Sequence, residues 1–502
     1  MSKTISLKKN TIANYIGQFY NMFIGIAILP AYMIYLGAEA FGLIGFFTML
    51  SAWMMLLDVG LSATISRQSA TLKHSFEQMI EFKHILRSVE AIFIVISLFI
   101  VLIVFISDDW IANNWLKIEA LDKNEVAYCI SLMGIMIALK WMVGLYKGAI
   151  NGFEQQVWLN IYGVTINSFK FIGGFILVKY ISQDPSSYFE YQLIIGIIEL
   201  LVIHQKVYKV IPKTDSFIKP SIKYLKIIMP FALAIAYTSG LWIVLTNIDK
   251  LLLSNLLPLK EYGYFSLIAV VVSGMSALSG PIGTAVQPRL TSLLSQGKSE
   301  EMIALYKKAT QFVSVIGFAV AGTVALFSTE LLYAWTGDME AALWAGNILF
   351  WYALGNGLLM VLAFQYYLQF AYGNLKYHIW GNTIFGFVQI IVMIIAVYTY
   401  GALGAGIAWF GLQAIFLSFW PGYIHSKFAK GIHTNWMLQD VLPMMLSSIV
   451  VLSLIKNLNI NFLSYERIEL FFILLFIGGV VLIINSLVAS EVRNMILKRI
   501  NR

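Results

Sequence analysis

The chain is expected to fold as an all-α polytopic membrane protein with fourteen transmembrane helices: two parallel-repeat six-helix lobes, then two C-terminal helices. Three observations lead there. Of its 502 residues, 59% are hydrophobic, 15% aromatic and only 12% charged, whereas a soluble domain carries about 25% charged residues. Fourteen apolar stretches each approach the roughly 20 residues that a helix needs to cross the hydrocarbon core. Short motifs also recur at a fixed offset of 221 or 222 residues.

In chain order the spans are residues 12–36, 40–64, 88–106, 126–150, 157–180, 188–206, 227–254, 262–288, 309–333, 343–371, 378–399, 402–424, 440–457 and 468–489. The first follows Lys3, Lys8 and Lys9 and is full length, so it is expected to be retained rather than cleaved. With a cytoplasmic N-terminus, the inner segments hold Arg67, Lys73, Lys83 and Arg87, the lysine-rich stretch 206–226, and Arg289 with Lys298, Lys307 and Lys308. In all they hold 25 of the 34 Lys and Arg residues. This asymmetry predicts that both termini are cytoplasmic. The net charge of +8 is thereby assigned to an anionic membrane surface, and no nucleic-acid partner is needed. Cys129, the single cysteine, excludes an internal disulfide.

The repeat spans whole units. Gly42 matches Gly263, Arg67 matches Arg289, Ile106-Ser107-Asp108-Asp109 matches Phe327-Ser328-Thr329-Glu330, and Ile203-His204-Gln205-Lys206 matches Ile424-His425-Ser426-Lys427. Asn160 and Asn167 match Asn382 and Gln389. Six helices per copy gives both copies the same orientation, about a pseudo-twofold axis along the membrane normal. The expected division is residues 1–215, 216–433 and 434–502.

Charges within the hydrocarbon are the first candidates for function. Lys140 and Lys170 lie near the middle of the fourth and fifth spans. Lys140, Gly144, Lys147 and Asn151 share one helical face, and Asn160, Asn167, Lys170 and Gly174 share another. Two readings are open: a cationic groove for an anionic headgroup, or internal ion pairs with Glu199 or Asp58. Asp58 and Glu199 are the carboxylates well inside helices and are candidates for cation coupling. On the first span, Asn14, Gln18, Asn21 and Gly25 form a face that either binds sugar hydroxyls or holds helices together. Arg67 and Arg289 close corresponding spans and fit capture of a phosphate at the inner mouth. Gly297-Lys298-Ser299 lacks the first glycine and preceding strand of a phosphate loop. The six histidines lack metal-ligand spacing. No cofactor, metal or catalytic residue is expected, and the chain reads as a transporter rather than an enzyme.

Leu57-Asp58-Val59-Gly60-Leu61 followed by Arg67, Asp249-Lys250-Leu251-Leu252-Leu253 leading to Tyr262-Gly263-Tyr264-Phe265, Pro288-Arg289-Leu290, Trp335-Thr336-Gly337 and Tyr366-Tyr367-Leu368-Gln369 resemble the polysaccharide transporter family. This family includes the O-antigen and capsule repeat-unit flippases. The resemblance covers roughly residues 10–430. It implies the two-lobed fold of the multidrug, oligosaccharidyl-lipid and polysaccharide exporter superfamily and alternating access. The implied substrate is an undecaprenyl-pyrophosphate-linked oligosaccharide moved across the bacterial cytoplasmic (inner) membrane. The expected partners are that glycolipid, membrane lipids and a polysaccharide polymerase. A cation-coupled drug exporter and a peptidoglycan-precursor flippase are the alternatives.

Overall fold

The computed structural model describes residues 7–494 apart from 59, 215–217 and 459. Its described residues form helices and no strand beyond one isolated bridge between Lys117 and Pro258. The helices are α1 (Leu7–Leu36), α2 (Ala38–Met54), α3 (Leu61–Thr71), α4 (Phe76–Trp110), α5 (Lys123–Gly152), α6 (Gln156–Ser168), α7 (Gly174–Tyr180), α8 (Pro185–Val210) and α9 (Ile222–Leu256). They continue with α10 (Leu259–Ser295), α11 (Ser299–Leu326), α12 (Ser328–Thr336), α13 (Met339–Ala371), α14 (Lys376–Phe428), α15 (His433–Asn435), α16 (Leu442–Lys456) and α17 (Arg467–Val488). Side-chain caps start several of them: Ser75, Asp122 and Asp338 each accept a backbone N–H from the first turn of α4, α5 and α13.

Eleven stretches among the described residues are long and apolar enough to cross a membrane, and the bent α9 makes twelve. The 48° bend of α9, between Leu233 and Ile235, follows Pro230, which removes a backbone donor and clashes with the preceding turn. Two features separate this number from the expected fourteen. Helix α8 carries Glu190 and Glu199 and is not among these spans, and the 53-residue α14 is interrupted at Gly401, whose φ of 58° and ψ of −142° are not helical.

The stretch expected as one helix over 40–64 is broken. Helix α2 passes into a 3₁₀ turn at Met55–Asp58, and α3 starts after Gly60, which sits in the left-handed region at φ 69°. Glycine adopts that backbone without penalty. Asp58 supports the break, because its carboxylate accepts Oγ–H of Ser62 at 2.6 Å and the Ser62 backbone N–H at 3.3 Å, at the positive end of α3. The stretch expected over 309–333 is likewise divided, between α11 and α12, at Phe327.

The chain forms two compact units, Met1–Gly263 and Tyr264–Arg502. In the first, α5 is central and packs on α3, α4 and α8. In the second, α13 is central and packs on α11, α12 and α14, while α16 and α17 lie against α11. Thus the fourth and tenth spans, expected to be equivalent from the sequence offset, are each the core helix of a unit.

Polarity is inverted relative to a soluble protein. Val95, Leu98, Phe99, Leu102, Phe105 and Ile106 of α4 are exposed, whereas Glu39, Glu90, Glu199, Glu330 and Asp440 are buried. An apolar exterior of this extent suits lipid contact rather than water.

Candidate functional site

Within the first unit, a cavity of about 470 Å³ lies between the broken α2–α3 segment and α5. A volume of this order holds a small polar headgroup. Lys140, Gly144, Lys147 and Asn151, the four residues of the α5 face, all line it, opposite Asp58, Ser62 and Ser66. Glycines bring α5 and α3 close together at the cavity's side: a side chain at Gly148 or Gly152 would run into the backbone carbonyl of Ser62 or Ser66 on α3.

The lysines differ in their partners. Glu199 on α8 is 6% exposed and binds two of them: Lys147 Nζ donates to Oε1 at 2.9 Å, and Lys170 Nζ donates to Oε2. Tyr162 fixes the helix beside it by donating to the Glu199 backbone carbonyl at 2.8 Å. Lys140 has neither an ion pair nor a hydrogen bond among the described residues. Its ammonium stands 5.9 Å from the centroid of the Phe47 ring, a distance at which the ring's negative face still attracts a cation. Asp58 makes no ion pair among the described residues and is engaged by Ser62.

Lys170 reaches Glu199 because the helix backbone is irregular there. Residues Phe169–Gly173 form a π turn between α6 and α7. Side chains of neighbouring helices add donors to the carbonyls of this turn, beside the helical N–H of Gly174 that reaches those of Lys170 and Phe171. Tyr32 donates to the carbonyl of Phe171 at 2.8 Å, Gln192 to that of Lys170 at 2.9 Å, and Tyr191 to that of Phe169 at 2.7 Å. These three residues and Tyr162 carry no sequence signal that distinguishes them from interfacial aromatics and amides. Lys147 shares the α5 face expected from the sequence, and it is the lysine that joins the cavity to Glu199.

The remaining expected site residues lie elsewhere. Asn160 and Asn167 do not line the cavity and are tied to α1: Asn160 donates to Asn14 Oδ1 at 2.5 Å, and Asn167 donates to Asn21 Oδ1 at 3.0 Å. The two amide faces meet each other, since Gly17 abuts Asn160 and Gly25 abuts Phe171. Arg67 is exposed on α3, with its guanidinium 4.3 Å from the Phe231 ring centroid. Arg289 is exposed on α10 with no ion pair or hydrogen bond among the described residues. No group of metal-ligating side chains is present among the described residues.

Comparison with known proteins bears on the family and the fold. Residues 7–294 match the family described as "Polysaccharide biosynthesis protein". A Shigella flexneri protein named "Putative O-antigen transporter" is 22% identical over 343 residues, covering 66% of this chain and 78% of that protein. The inward closed conformation of the lipid II flippase MurJ superposes with a TM-score of 0.70 at 17% identity, covering 97% of this chain and 99% of that one. An inward-facing multidrug resistance MATE family transporter of the MOP superfamily gives 0.61 at 13% identity, over 82% and 95%. The family match covers more than half of the chain, and the helical architecture agrees with it: the chain belongs to the polysaccharide biosynthesis protein family, on the fold shared by MurJ and the MATE transporters.

Proposed function

We propose that this chain is a flippase that moves an undecaprenyl-pyrophosphate-linked oligosaccharide repeat unit across the bacterial cytoplasmic membrane, by alternating access, for O-antigen or capsule assembly. The observation that carries the reading is Lys140, an ammonium with no carboxylate partner in a cavity of an apolar-coated helical bundle. Lys140 is exposed to the cavity rather than buried, so its ammonium is open to a ligand there, and a diphosphate is an anion of matching chemistry. The name of the Shigella flexneri relative supports a polysaccharide cargo.

In this reading the chain crosses the membrane fourteen times, with α8 as one crossing and α14 divided at Gly401 into two, and both termini are cytoplasmic. The functional lobes are residues 1–215 and 216–433, with residues 434–502 as an appendage. Arg67 captures the pyrophosphate at the cytoplasmic end of its span and hands it to Lys140, and Arg289 is a capture residue at the cytoplasmic end of its own span. Asn160 and Asn167 hold α1 in place beside the groove. Asp58, which lines the cavity without a cation partner, is the site for a coupling cation. A polysaccharide polymerase receives the product on the far side.

The test is the sidedness of the lipid-linked repeat unit in cells lacking the chain. Spheroplasts with intact membranes should keep nearly all of the glycolipid inaccessible to an external lectin, and complementation should restore access. Unchanged access in the deletion strain, with no other transporter of the superfamily present, would remove the proposal.

A further inference from the structure

The carboxylate of Glu199 lies behind the cavity wall, held by one lysine that lines the cavity and one that does not. We infer that Glu199 is a resident counter-ion that competes with the cargo diphosphate for Lys147, and so lets the cavity release what it binds. The inference rests on the proposed flippase reading and deepens it.

Lys140, Lys147 and Lys170 together carry three positive charges, and a diphosphate diester carries two negative ones. Without Glu199 the three ammonium groups would overmatch the cargo, and a ground state bound that tightly slows every later step. With Glu199 present, only Lys140 is free at rest. An arriving anion takes Lys140 first and then draws Lys147 away. The carboxylate is not stranded when this happens, because Lys170 still holds its other oxygen. A single lysine partner could not serve in this way, since withdrawing it would leave a buried and unpaired carboxylate. The π turn fixes Lys170 in that holding position, through the bonds from Tyr32 and Gln192. When the diphosphate leaves, Lys147 returns to Oε1, and this return opposes rebinding.

The test uses the full-length protein in detergent and in liposomes, with a geranylgeranyl pyrophosphate diester of N-acetylglucosamine as the binding probe and geranylgeraniol as its uncharged control. Glu199→Gln removes the competitor and keeps the shape. Its affinity for the pyrophosphate should rise about tenfold, the factor given by about one additional charge-assisted hydrogen bond. Release of the probe, followed by dilution, should slow by a similar factor. Glu199→Asp keeps the charge but draws it back by one methylene, so it should shift both quantities in the same direction by less. That variant carries the test if the glutamine variant does not fold. If wild type binds the pyrophosphate and Lys140→Ala weakens binding, while both Glu199 variants leave affinity unchanged or reduced, the counter-ion inference is overturned and the flippase reading stands. If neither wild type nor the Glu199 variants prefer the pyrophosphate to the alcohol, the cationic cavity itself is the wrong reading.

Discussion

A Lys140→Ala protein should reach the membrane at the wild-type level and unfold at the wild-type temperature, yet move lipid-linked oligosaccharide 10- to 100-fold more slowly. The asymmetry follows from its partners. Lys147 and Lys170 each hold Glu199, so removing either one disturbs a buried ion pair and confuses stability with function. Lys140 has no such bond, and nothing in the protein is left unpaired when it goes. A charge-assisted hydrogen bond is worth about 1.5–3 kcal/mol, and about 1.4 kcal/mol corresponds to one factor of ten. Lys140→Arg keeps the charge and should retain most of the activity. Flipping rates and melting temperatures of the two variants, measured side by side, check the claim. A slow Lys140→Ala that is also unstable would show a structural role instead.

Glu39→Ala should have the opposite profile, with a large loss of stability. Glu39 is 7% exposed, and its carboxylate gathers the loop between α4 and α5 at the start of α2. It accepts the backbone N–H of Glu119 at 2.6 Å and those of Ala120 and Leu121 at 2.8 Å each. Alanine leaves three donors without their acceptor. The same loop reaches the end of α9 and the start of α10, where Lys117 donates to the Leu256 carbonyl at 2.7 Å and its own carbonyl accepts from Leu259 N at 2.8 Å. With hydrogen bonds to a charged group at about 1.5–3 kcal/mol each, and water replacing part of the loss, a destabilisation of about 3 kcal/mol or more is expected. Glu39→Gln, which keeps a single acceptor oxygen, should lose about half of that. Thermal unfolding in one detergent compares the three proteins, and an unchanged midpoint for Glu39→Ala would contradict this account of the loop.

Much of the fold was legible because a membrane leaves few choices. Apolar length marks the spans, whereas the bend after Pro230 in α9 was not read from the sequence. Periodicity also grouped two polar stripes, those of α5 and α6, by residue. It did not reveal what each face meets. The α5 face opens on the cavity, but Asn160 and Asn167 on α6 meet the amides of α1, because helical spacing fixes which side chains share a stripe and not which neighbour the stripe faces. The breaks were legible only in part. Gly60 and Asp58 stand in an apolar run that reads as one helix, and the left-handed glycine with its carboxylate cap becomes evident only when α3 is seen to restart at Leu61. The π turn at Phe169–Gly173 was not legible, since its support comes from Tyr32, Tyr191 and Gln192, distant in sequence and ordinary in type. The two-lysine hold on Glu199 depends on that turn and was hidden with it.

Translocation by the purified chain alone decides whether it flips the glycolipid. Liposomes containing the protein and a diphosphate-linked lipid oligosaccharide in both leaflets are treated with an impermeant glycosidase. The account predicts that the protected inner-leaflet fraction is consumed steadily in liposomes holding folded protein and persists in protein-free ones. A protected fraction that persists equally in both, under each ion gradient tried, would contradict it.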